Sequence, residues 1–119
     1  MVYTEILNKN KDFLTLYKKG RSVVSKAVVI YVKPNGLSYN RFGITAGKKV
    51  GNAVMRNRAK RIIRQAYYEN EILFPIGLDI VFVARKFATE VKSEYLSSYV
   101  KKHAIGAIEA FLVDGETKK

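Results

Sequence analysis

The chain has no cysteine, no tryptophan, two prolines and one histidine in 119 residues. Lack of cysteine excludes disulfide staples, thiolate zinc sites and cysteine nucleophiles together, and it suits a reducing compartment. No apolar run approaches the ~18 residues of a membrane span. The opening MVYTEILNKN lacks the basic-then-apolar pattern of a signal peptide. The expectation is a soluble, cytoplasmic protein. His103 stands beside Lys101 and Lys102, no serine is spaced to pair with it, and the carboxylates are scattered singly. That inventory cannot easily build a protein-only hydrolase, so neither a catalytic residue nor a metal ligand is assigned. The run Gly43–Lys49 (GITAGKK) imitates a phosphate-binding nucleotide loop. It is one residue short between its glycines, and it ends in lysine where a hydroxyl must hold Mg²⁺.

The most telling absence is acidic. From Phe13 through Tyr68 there are thirteen basic residues and no Asp or Glu; the rest of the chain holds nine basic and ten acidic residues. The whole net charge of +12 therefore sits in one continuous stretch. Unpaired like charges repel and destabilise a compact state, so their retention points to a polyanionic partner, nucleic acid or an acidic membrane face. With 48% hydrophobic residues, eight Tyr and six Phe, the chain is not disordered, and its length suits one domain over 1–119.

The periodicities predict six elements. Asn8 or Asn10 caps a helix over 11–19, closed by a left-handed Gly20, with Phe13, Leu16 and Tyr17 at helical spacing. Ala27–Lys33 (AVVIYVK) is a β-branched strand with Val28, Ile30 and Val32 on one face and Val29 and Tyr31 on the other. Arg41–Ala46 follows as its hairpin partner across 34–40. A helix runs from about Asn52 to Tyr68, and Pro75-Ile76-Gly77 breaks the chain before Leu78–Ala84 (LDIVFVA), a central buried strand. A long amphipathic helix over Glu90–Leu112 places Tyr95, Tyr99, Val100, Ala104, Ile108 and Phe111 on its apolar stripe, and 113–119 should fray. The order α-β-β-α-β-α, with few helices, indicates an α+β class and a small two-layer sandwich.

Two groups of residues are candidates for binding. On the 52–68 helix, Arg56, Asn57, Arg58, Lys60, Arg61 and Arg64 share one half of the cylinder, opposite Met55, Ala59, Ile62, Ile63 and Ala66. Arginine outnumbers lysine there four to one, and its planar fork grips phosphate oxygens in pairs. No acidic i,i+4 partner occurs before Glu69, as an ordinary solvated helix would have. The alanines and isoleucines opposite suit a core better than a membrane surface. Asn52 can cap this helix, and Lys48 and Lys49 precede it. These features support RNA or DNA without choosing between them, although a strand rather than a helix precedes, unlike a helix-turn-helix. The second group is Phe13, Tyr17 and Tyr31, rings beside Lys18, Lys19 and Lys33 that could stack on unpaired bases or simply fill a core.

The segment Gly47–Tyr67, GKKVGNAVMRNRAKRIIRQAY, resembles the signature of the bacterial ribonuclease P protein family, centred on Arg56-Asn57-Arg58 with Lys60, Arg61 and Arg64. KDFLTLYKKGRS at 11–22 and LDIVFVARK at 78–86 resemble that family's first helix and third strand. The resemblance implies a fold with a left-handed β-α-β crossover, against the general right-handed rule. It also implies a monomeric protein cofactor of a catalytic RNA that removes 5′ leaders from precursor tRNA, with Mg²⁺ held mainly by the RNA. Lys48, Lys49, Asn52 and the helix cluster would then face the catalytic RNA. Phe13, Tyr17, Tyr31, Val32 and Lys33 would line a cleft for the single-stranded leader. A ribosomal-type RNA scaffold and a stand-alone nuclease are the competing classes; the first would not prefer precursor tRNA, and the second would cleave without an RNA partner.

Overall fold

In the computed structural model, residues 4–117 are described, the side chains of 114–117 excepted. Five strands form one sheet: β1 (Thr4–Ile6), β2 (Arg21–Val24), β3 (Val28–Pro34), β4 (Asn40–Thr45) and β5 (Leu78–Ala84), in the order β1-β4-β5-β3-β2. Helix α1 (Asn10–Lys19) precedes β2, and α2 (Ala53–Asn70) joins β4 to β5. The final helix is interrupted: α3 (Ser93–Tyr99) passes through a π-helical turn at Val100–Ala104 into α4 (Ile105–Thr117). Helical backbone thus continues past the expected end at Leu112, and the remainder of the tail lies outside the described residues. The α+β class is as expected; β1 and β2, both short edge strands, are additions.

The anticipated β3–β4 hairpin does not form, because β5 lies between them. It pairs antiparallel with β3, from Val28↔Ala84 to Pro34↔Leu78, and parallel with β4, from Arg41↔Asp79 to Thr45↔Val83. The cause lies in β5 itself: Ile80 and Phe82 are buried on one face and Val81 on the other, and only an interior position hides both faces. Asn40 secures this arrangement, its Oδ1 accepting from the Gly77 and Leu78 amides at 2.7 and 2.8 Å. Gly77 turns the chain into β5 at φ +93.

One main-chain contact defines the hand of the β4–α2–β5 crossover. The Leu7 amide donates to the Phe42 carbonyl at 2.8 Å, so Phe42 directs its backbone polar groups toward β1. Its ring faces α2, stacked on Tyr67 at 4.1 Å between centroids. For an L-residue so oriented, with the strands pointing up and α2 toward the viewer, β5 stands to the left of β4. The crossover is left-handed, an exception to the usual rule.

The principal core lies between the inner sheet face and the helices α2 and α3–α4. Val28, Ile30, Val32, Phe42, Ile80 and Phe82 meet Ala59, Ile63, Tyr67, Leu96, Val100 and Ile108 there. Helix α1 lies on the opposite, outer face over a smaller cluster of Leu7, Leu16 and Val81. Its start is Lys9, without a side-chain cap, rather than Asn8 or Asn10 capping. Gly20 ends it in extended backbone, φ −76, not in the left-handed region. Glycine is needed there for closeness: a Cβ would stand 2.6 Å from the Leu16 carbonyl oxygen. On α3, Leu96 is buried but Tyr95, assigned to the apolar stripe, is 51% exposed.

Candidate nucleic-acid interface

Helix α2 begins at Asn52, whose Oδ1 accepts from the Met55 amide at 3.0 Å. This cap fixes the rotation of the helix, and Ala59, Ile63, Ala66 and Tyr67 fall buried against the sheet. The residues between them are forced outward. Asn57, Arg58, Arg61 and Arg64 are exposed, and Arg56 and Lys60 are half-buried. The whole predicted cluster shares one surface. Among the described residues none of its five cations has a carboxylate within salt-bridge distance, because the ion pairs found all belong to Arg41. Uncompensated cations repel one another, so this face is electrostatically prepared for phosphates.

Two arginines are held by backbone. Arg56 Nη1 donates to the Gly51 carbonyl at 3.1 Å, and Arg58 Nε donates to the Thr89 carbonyl at 3.1 Å. Each keeps its other guanidinium donors for a ligand while losing side-chain freedom in advance. Arg58 and Arg61 also line an open cleft of about 300 Å³ with Lys92, Ser93 and Glu94. Lys48 and Lys49 are exposed on a 3-10 turn (Lys48–Val50) anchored by buried Val50, just ahead of the α2 start. Asn52 is exposed, with its oxygen engaged as the cap and its amide group left for a partner.

The aromatic candidates meet on the outer sheet face, separated from α2 by the sheet. Tyr17 of α1 contacts Tyr31 of β3 edge-on at 5.1 Å, and Phe13 follows at 6.5 Å from Tyr17. The Tyr17 hydroxyl and Thr45 Oγ1 are hydrogen-bonded at 2.8 Å. Lys33 lies on the same strand face as Tyr31, with Nζ donating to the Pro34 carbonyl at 3.4 Å. Val32 does not belong here. Strand alternation turns it to the inner face, where it is 2% exposed in the main core, so its side chain cannot line this cleft.

Three features of the cleft floor escaped the sequence reading. Gly43 lies under Phe13: a Cβ there would meet the ring at 2.6 Å, so only glycine lets the ring lie this close to the sheet. Thr45 anchors Tyr17. Arg41 forms a two-pronged pair with Asp79, at 2.7 and 2.6 Å, and reaches Asp12 of α1 at 3.7 Å. The Asp79 hydrogen bond, opposed by partial burial and aided by both carboxylate charges, raises the guanidinium pKa above its ordinary value. The alternation of Arg41, Gly43 and Thr45 on β4 was a usable signal for a shared face. The pairing with Asp79 depends on β5 sitting beside β4. Among the described residues no three His, Asp or Glu side chains gather as a metal site.

The family model for Ribonuclease P matches residues 1–107. Among curated proteins, the Ribonuclease P protein component of Alkaliphilus oremlandii (strain OhILAs) is 39% identical over 94 residues, spanning 79% of this chain and 82% of that protein. Its counterpart in Pelotomaculum thermopropionicum is 36% identical over 102 residues, spanning 86% and 91%. Among solved structures, the Staphylococcus aureus RNase P protein is similar with a TM-score of 0.71 and 34% identity, covering 81% of this chain and 88% of that one. The Thermotoga maritima RNase P protein has a TM-score of 0.63 at 31% identity, covering 92% and 93%.

Proposed function

The chain belongs to the ribonuclease P protein family, and on that premise we propose that it is the protein subunit of a ribonucleoprotein endonuclease that removes the 5′ leader from precursor tRNA. In this reading the α2 face with Lys48, Lys49 and Asn52 binds the catalytic RNA. Phe13, Tyr17 and Tyr31, with Lys33, hold the single-stranded leader. One observation carries the reading: an arginine-rich helix face with no ion-paired carboxylate among the described residues and a separate aromatic surface lie on opposite sides of one sheet. Two such surfaces suit two RNA ligands held at once.

The division of labour follows from charge. Catalytic RNA and substrate repel, and a protein of net +12 between them screens that repulsion and lowers the Mg²⁺ needed for assembly. Mg²⁺ supplies the hydrolytic chemistry while bound mainly by the RNA. The chain's own residues bind and orient: α2 arginines take phosphates, and the rings stack on unpaired bases with little sequence preference. Since mature tRNA has no leader, stacking adds affinity for precursor over product. The protein acts as a monomer within the cytoplasmic ribonucleoprotein.

The test is precursor-tRNA cleavage at low Mg²⁺ by a bacterial ribonuclease P RNA alone, by this protein alone, and by both together. Cleavage only in the combined reaction is expected. Cleavage by the protein alone, or no stimulation despite salt-sensitive RNA binding, would overturn the proposal.

A further inference from the structure

A second row of rings lies along α3, belonging neither to the α2 face nor to the α1–β3 cluster. Phe87 meets Tyr95 edge-on at 6.0 Å, and Lys26 Nζ sits 4.2 Å above the Phe87 ring. One and two turns on, Tyr99 and His103 tilt together at 5.9 Å. Tyr95, Tyr99 and His103 recur every four residues, so they form a ladder on one helix flank. With Ser98 and Lys102 they line an open cleft of about 470 Å³. The flank faces away from α2, to which α3 is tied on its other side by Asn70 Nδ2 and Ser97 Oγ at 2.9 Å.

The chemistry of this cleft selects its ligand. Lysine is depleted in protein–protein interfaces; here the rings are interleaved with hydroxyls and flanked by two exposed lysines, Lys102 in the cleft lining and Lys26 over Phe87. Glu90 is the nearby acid on the connecting loop, while Glu94 borders the Arg58–Arg61 cleft on the α2 side. Tyr95 and His103 are exposed, while Phe87 and Tyr99 are half-buried with one side against the core; such rings beside lysines are a stacking platform for single-stranded nucleic acid.

The sheet links this platform to the outer cleft. Thr45, which anchors Tyr17, is paired with Val83, two residues before Arg85. Arg85 in turn holds the β2–β3 turn, its amide on the Ala27 carbonyl and its Nη1 on the Ser25 carbonyl, both at 2.9 Å. Lys26 projects from that turn. From Tyr31 back along β3 to its first residue, Val28, is about 10 Å at strand rise, and Lys26 lies in the turn just before it, a gap that a few nucleotides bridge over a basic rim. We propose that the Phe87–Tyr95–Tyr99–His103 ladder takes the upstream nucleotides of a precursor-tRNA leader whose downstream part lies on Tyr31. The proposal rests on the leader-binding reading above.

The experiment measures precursor binding by the reconstituted holoenzyme, using one leader just long enough to cover the Tyr17–Tyr31 cleft and one several times longer. The longer leader should bind at least about fivefold more tightly, the lower end of stacking on one ring. Tyr95→Ala should erase that increment and leave short-leader binding unchanged, and Tyr95→Phe should retain it. Because Tyr95 is half-exposed, thermal unfolding should not move; Lys102→Ala, also at an exposed site, should lower the salt dependence of long-leader binding alone. Equal weakening of both leaders by Tyr95→Ala, no length-dependent increment, or weakened binding to the RNA subunit itself would overturn the proposal. Tyr31→Ala separates the two ideas: if it affects neither leader, the leader reading fails whatever Tyr95 does.

Discussion

Removing Arg61 and Arg64 together tests whether the α2 face binds phosphate. Both are exposed, and neither side chain makes a hydrogen bond or ion pair among the described residues, so Arg61→Ala/Arg64→Ala leaves the fold intact. The five α2 cations with Lys48 and Lys49 make seven candidate phosphate contacts. At about 0.7 to 0.9 per contact, binding to the catalytic RNA should show a log–log salt slope near −5 to −6. The double variant should flatten that slope by about 1.4 to 1.8. Its deficit should be large at low salt and shrink as salt rises, since a fourfold rise in salt costs each contact about threefold in affinity. Filter binding or fluorescence anisotropy across a salt series reads this directly. Parallel lines, with affinity lowered equally at every salt concentration, would refute the assignment of these arginines to phosphates. Arg58→Lys is the companion: charge and slope persist, but the Nε bond to Thr89 is lost, so affinity falls without flattening.

Other outcomes follow from particular contacts. Tyr31→Ala should weaken precursor binding while leaving binding to the catalytic RNA intact, as read by competition between precursor and mature tRNA. Gly43→Ala pushes a methyl into Phe13, so it should destabilise by about 1–3 kcal/mol in denaturant melts and reduce precursor preference together. Burial, offset in part by the Thr4 hydrogen bond, pushes the Tyr67 hydroxyl up to about 12. The unfolded chain then loses this proton near pH 10 while the native one keeps it, so stability holds below pH 10 and declines toward 12. Tyr67→Phe should remove that portion of the alkaline loss in melts compared pairwise with the parent.

What could be read from the amino-acid order is what local spacing encodes. Helix α2 and its two faces follow from 3.6-residue periodicity, because residues three and four apart share a surface in any fold. The Asn52 cap and the break at Pro75-Ile76-Gly77 are equally local. The two-sided apolar run of β5 announced an interior strand, but its neighbours did not follow from it. Pairing between β5 and β3 joins residues some fifty apart, and no short-range pattern forbids the simpler hairpin. Val32 shows the same limit at one residue. Its sequence neighbours Tyr31 and Lys33 look outward, and alternation already placed Val32 with Val28 and Ile30; the family likeness set it beside the cleft, and the packed core decides against that. Only tertiary structure brought Arg41 onto Asp79, laid Phe13 over Gly43 and strung Phe87, Tyr95, Tyr99 and His103 beside Lys26. Helix faces are set by bonds four residues long, whereas clefts are made where distant segments meet, and that meeting depends on which arrangement buries the most apolar surface.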